Sequence, residues 1–99
     1  MAQAATPQRG YSATKDQLLA RLRRIEGQVR GVEKMVEDDR YCIDVLTQIS
    51  AIQAAIDKVA LGLMDDHAHH CVVGAKTAGA RAEKTDELMS AVGRLMRRG

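Results

Sequence analysis

Cys42, His67 and Cys71 are the residues of this chain whose types and spacing could do chemistry, in the pattern C-x24-H-x3-C. Two thiolates and an imidazole form a soft donor set, which selects Cu(I), Zn(II) or cluster iron over magnesium or calcium. Zinc in a structural site takes a fourth ligand, and three donors suit trigonal Cu(I) better. His67 and Cys71 stand four apart, so a helix sets them on one face. Cys42 stands 25 residues before His67, ~37 Å along a continuous helix. If the helix runs unbroken, the three cannot meet within one chain. An antiparallel copy of the same helix would bring its own Cys42 to that end, and two-fold symmetry would then make two identical sites per dimer. Without that pairing, the same residues read as a core cysteine, a free thiol at a helix end and a surface histidine. The cross-dimer geometry favours ligands. His69 and His70 are set aside from the ligand set, because clustered exposed histidines need no such role. Met64, Met89 and Met96 fall at helical spacing among apolar residues and read as core fillers.

The elements that must position these groups are helices. Val45, Ile49, Ile52, Ile56, Val59 and Leu63 recur in steps of four and three, and Leu46 and Ala60 widen the stripe. A long second helix is therefore expected from about Tyr41 to near Cys71. Ahead of it, Leu18, Leu22, Ile25, Val29, Val32 and Val36 repeat the same step. They predict a first helix from Ser12 or Thr14 to about Asp39, capped by either hydroxyl, with Asp16 near the positive end of its dipole. Gly27 and Gly31, four apart, predict close backbone approach of a neighbour, here the second helix. Glu37, Asp38, Asp39 and Arg40 read as a short turn, so the first two helices should form an antiparallel hairpin. Residues 72–82, with Gly74 and Gly79, read as a loop of about ten residues. A third helix is expected from Glu83 to Arg98, burying Leu88, Val92 and Leu95. Residues 1–11 read as a disordered arm, leaving 12–99 as a single helical domain.

Composition narrows the class. At 99 residues, with no Trp or Phe and two Tyr, the chain buries little surface alone, and oligomerisation is the usual remedy. Three helices are too few to close around this much apolar stripe, so a bundle of at least two chains is expected. No secretory signal and no membrane-spanning run is read, and two cysteines without an export signal fit reduced thiols in the cytoplasm. The net charge of +2 is unevenly divided. Residues 1–34 carry +4, residues 35–75 carry −5 and residues 76–99 carry +3. Basic flanks around an acidic middle fit either a polyanion partner or a solvated mixed surface, and an oligomer multiplies any basic patch. No nucleophile–base arrangement or phosphate-cradling loop is present in the sequence, so an enzyme is not expected.

RLRRIEGQVRG (21–31), YCIDVLTQISAIQ (41–53) and HAHHC (67–71) resemble the copper-sensing operon repressors and their nickel-, formaldehyde- and persulfide-sensing relatives. The resemblance runs from about Lys15 to Leu95. It implies an all-α, three-helix protomer with a long central helix, assembled through a dimer into a dimer of dimers, a homotetramer on double-stranded operator DNA. In the copper branch the Cu(I) ligands match Cys42 of one subunit with His67 and Cys71 of the other. Tyr41, immediately before the first cysteine, and Glu87 on the third helix match residues that orient the ligand imidazole. The family's DNA-binding residues map onto Arg21 and Lys58, with Arg23 and Arg24 as neighbours. Nickel- and formaldehyde-type members lack a cysteine at position 71, and persulfide sensors lack the histidine at 67. The expectation is a cytoplasmic Cu(I)-responsive repressor whose metal-free form binds operator and which copper releases. A persulfide or thiol-redox switch on Cys42 and Cys71 is the alternative, and a copper buffer with an incidental basic surface is a third possibility.

Overall fold

The computed structural model describes residues 11–97, and every regular element among them is helical. A 3-10 turn over Ser12–Thr14 leads into α1, Lys15–Glu37. α2 follows over Cys42–His67, a π-helical turn covers Ala68–Val73, and α3 runs over Ala78–Met96. Apart from an exposed Tyr11, the expected N-terminal arm lies outside the described residues. The chain divides into two compact units, Thr14–Leu61 being one and the other taking in the chain from Gly62 onward.

The first unit is a helical hairpin. Leu18 and Ile25 of α1 are buried with Val59 of α2, and Ile52 and Ala55 pack against them. This joins the early part of α1 to the later part of α2, as an antiparallel turn requires. α1 ends in a Schellman motif: the Asp39 N–H donates to Val36 O at 3.1 Å and the Arg40 N–H to Met35 O at 2.9 Å. Asp39 takes the left-handed position there, with φ 54°. Short polar side chains tolerate this conformation better than most, though glycine is its usual occupant. At the other end the Thr14 side chain makes no capping hydrogen bond, so the expected hydroxyl cap is absent at that residue. The expected close approach at Gly27 and Gly31 is also not found within the protomer. A Cβ at either position would meet no atom within 4 Å. Half of the α1 stripe is uncovered as well: Leu22, Val29 and Val36 are 41%, 43% and 61% exposed.

From Gly62 onward the chain corrects two further expectations. The α-helical ladder of α2 stops at His67 and gives way to the π turn, which carries helical backbone through Cys71 to Val73. Gly74 closes it, because a Cβ there would stand 2.8 Å from the His70 carbonyl oxygen. Residues 72–82 are not a ten-residue loop. Only a four-residue connector (74–77) separates the π turn from α3. Thr77, in extended backbone, caps α3 by accepting a hydrogen bond from the Ala80 N–H at 3.0 Å. Ala78, Ala80 and Ala82 are strong helix formers, and they carry the helix to Met96 despite Gly79. Arg81 Nη2 donates to Ala75 O at 3.3 Å and folds the connector against α3. Along α3, Leu88 and Val92 are half-buried while Leu95 is exposed at 41%. No helix among the described residues is long and apolar enough to cross a membrane.

Candidate metal centre and nucleic-acid surface

Cys42 and His67 occupy the two ends of α2, and Cys71 follows in the π turn. Cys42 is the first residue of that helix and is exposed. Tyr41 sits just before it, where its carbonyl accepts the Asp44 and Val45 N–H groups at 3.0 and 3.2 Å. The Tyr41 ring is exposed. His67 closes α2 and Cys71 lies within the π turn, both half-buried. A π turn takes in one more residue per hydrogen-bonded ring than an α turn. Positions four apart therefore come closer to eclipsed, which favours convergence of the His67 and Cys71 side chains.

His67 has a specific partner on α3. Its Nε2 lies 3.2 Å from the Lys84 carbonyl oxygen. A carbonyl only accepts, so Nε2 carries the proton and donates in this contact, which leaves the Nδ1 lone pair unprotonated. Glu87, one turn further along α3, directs its carboxylate to Lys84 Nζ at 3.5 Å. The Lys84 backbone was not foreseen, because a backbone acceptor leaves no trace in residue type. His69 pairs with Asp65 at 3.3 Å on an exposed face, and His70 is exposed. Among the described residues, no group of three His, Cys, Asp or Glu side chains within one protomer forms a metal-sized cluster.

A second feature lies in the hairpin. Arg21, Arg24 and Gln28 of α1, with Ile25 below them, face Ala51, Ala54, Ala55 and Lys58 of α2 across a groove of about 490 Å³. The small alanine side chains keep the groove open, and no carboxylate lines it. Three cations over an apolar floor make a surface complementary to a phosphate backbone. Arg23 is not part of this groove. It borders the other face of α1, beside Leu22, Glu26 and Val29. Gln28 was missed from the sequence, although its spacing of four from Arg24 and seven from Arg21 sets it on their stripe.

Comparison with known proteins places the chain in a family. Residues 14–94 match the model of a family described as metal-sensitive transcriptional repressors. The chain is 58% identical over 78 residues to the copper-sensing transcriptional repressor CsoR of Bacillus subtilis, covering 79% of this chain and 77% of that one. It is 50% identical over 94 residues to the copper-sensing transcriptional repressor RicR of Mycobacterium tuberculosis, covering 93% and 98%. In three dimensions it is similar to the copper-sensing repressor CsoR with Cu(I) from Geobacillus thermodenitrificans. The TM-score is 0.81 at 47% identity, covering 93% of this chain and 94% of that one. The all-helical fold, the spacing of the soft donors and these likenesses together establish that the chain belongs to the metal-sensitive transcriptional repressors, a family of regulators and not of enzymes.

Proposed function

We propose that the protein is a Cu(I)-responsive repressor that binds double-stranded operator DNA without metal and leaves it when copper is bound. The observation that carries this reading is the placement of Cys42 and His67 at opposite ends of one unbroken α2. A 26-residue helix holds its ends about 37 Å apart, so a three-donor site needs a second copy. Cys42 of one protomer joins His67 and Cys71 of its partner, and a two-fold dimer holds two such sites. The uncovered stripe of Leu22, Val29 and Val36, together with exposed Leu46 and Ile56 on α2, is apolar surface that further copies would cover. Pairing of two such dimers gives a homotetramer. Residues 12–99 act as one sensing and DNA-binding domain, and the setting is the reducing cytoplasm.

The donor set fits Cu(I): two thiolates and one neutral imidazole nitrogen are soft, and three in number. The bound ion would supply a soft centre that fixes these side chains together. On the protein side, His67 already donates through Nε2 to the Lys84 carbonyl. Its ring orientation at the end of α2 is thereby coupled to the position of α3. Glu87, which pairs with the side chain of Lys84, can exchange into that hydrogen-bond network, and Tyr41 of the protomer that supplies Cys42 would arrive there with its cysteine. Arg21, Arg24 and Lys58 contact operator phosphates through their groove, with Arg23 contributing from the neighbouring face. Coupling between metal and DNA need amount only to about 1–3 kcal/mol, the usual range for linked sites. Anaerobic titration of reduced protein with Cu(I), while following release of a bound operator duplex, tests the reading. Release at one Cu(I) per protomer supports it, and DNA binding indifferent to copper refutes it.

A further inference from the structure

The cationic groove contains a polar atom with nothing to bind. Gln28 Oε1 is shut off from water and accepts no hydrogen bond. A buried acceptor left in this condition destabilises the folded state, and such groups are rare enough in native proteins to call for a cause. Every other polar side chain lining the groove is a donor: Arg21, Arg24 and Lys58. Arg24 lies four residues before Gln28 on α1, the spacing at which helix side chains meet. Its guanidinium carries five N–H groups in a planar fork, so it can donate inward to an amide oxygen while facing a phosphate outward.

We propose that Gln28 is a positioning residue for DNA binding: its orphan carbonyl oxygen receives Arg24 when a phosphate enters the groove, and holds the guanidinium against the DNA backbone. In the free protein Arg24 is solvated and Gln28 is unsatisfied. In the complex the phosphate draws Arg24 into the groove, and the amide fixes its plane. The free protein thus tolerates a less stable hairpin so that the bound form gains an oriented cation. This rests on reading the groove as the DNA surface, and it adds a role for a neutral residue that charge alone does not identify.

The test uses full-length wild type, Gln28→Met, Arg24→Ala and the double variant, with Arg21→Ala as a control on the DNA surface. Methionine keeps the length and removes the acceptor. The probe is a duplex enriched from random sequence by the wild-type protein. Gln28→Met should melt at or above the wild-type temperature, yet bind the duplex about tenfold more weakly, the scale of one hydrogen bond to a charged group. In the Arg24→Ala background the same change should have no further effect, because the residue it positions is gone. A lower melting temperature would show the amide already bonded in the free protein and would overturn the proposal. So would unchanged affinity of Gln28→Met, or additive losses in the double variant. If Arg21→Ala weakens binding while Gln28→Met does not, the DNA surface stands and only the role of Gln28 falls. If wild type enriches no duplex, the DNA reading fails and this proposal fails with it.

Discussion

Replacing Lys58 with alanine should change how DNA binding responds to salt, by an amount the structure allows to be worked out. Lys58 is exposed, lines the groove shared with Arg21 and Arg24, and lies outside the buried Leu18, Ile25 and Val59 cluster. Alanine is the better helix former, so the variant should fold as well as wild type. Each phosphate neutralised contributes about 0.9 to the slope of log affinity against log salt. If both protomers of a dimer engage the duplex, Lys58→Ala removes two contacts and flattens the slope by about 1.8. Between 50 and 200 mM salt, wild type should then lose about 12-fold more affinity than the variant, since a fourfold change raised to the power 1.8 is about 12. Fluorescence anisotropy on the same duplex across that range reads the slope directly. A loss of about 0.9 would mean one engaged copy, and about 3.6 would mean four. A slope equal to that of wild type, with helix content intact, would refute the assignment of this groove to phosphate.

Mixed dimers of a Cys42→Ala chain and a His67→Ala, Cys71→Ala chain should retain one intact three-donor site of two; a mixed dimer that binds no Cu(I) in that mode would rule out the cross-protomer arrangement. His67→Ala should still take Cu(I) on the two thiolates, measured by chelator competition, yet fail to release operator, with Glu87→Ala showing a milder form. Full release by metal-loaded His67→Ala would leave the thiolates as the whole switch. Thr77→Ala removes the hydrogen bond to the Ala80 N–H and should lower stability in denaturant by about 1 kcal/mol, the usual cost of losing an N-cap; an unchanged unfolding midpoint would show that the cap contributes nothing.

The helices were legible because amphipathic periodicity is local. Steps of four and three in α1 and α2 follow from 3.6 residues per turn, and both helices are found within a few residues of the expected limits. The start of α3 was misjudged because Gly74 and Gly79 look alike in sequence. One abuts the His70 carbonyl and ends the π turn, while the other lies in the first turn of α3 with open space around it. Gly27 and Gly31 were misread for a related reason: a small residue permits close approach but does not supply the neighbour. The π turn has no composition of its own, since AHHCVV would also continue an α-helix.

Sequence alone determined the soft donor set, its division between the two ends of a helix, and the family likeness, since residue identity and spacing along a regular helix need no tertiary information. Tertiary structure decided which distant groups meet. Arg23 and Arg24 are adjacent in sequence, but a helix turns about 100° per residue, so only Arg24 shares the groove with Arg21 and Lys58. That meeting spans more than thirty positions between α1 and α2. It depends on the register in which Leu18 and Ile25 lock against Val59. The pairing of His67 with the Lys84 carbonyl was likewise a matter of packing, because every residue offers the same backbone acceptor and only the fold selects one.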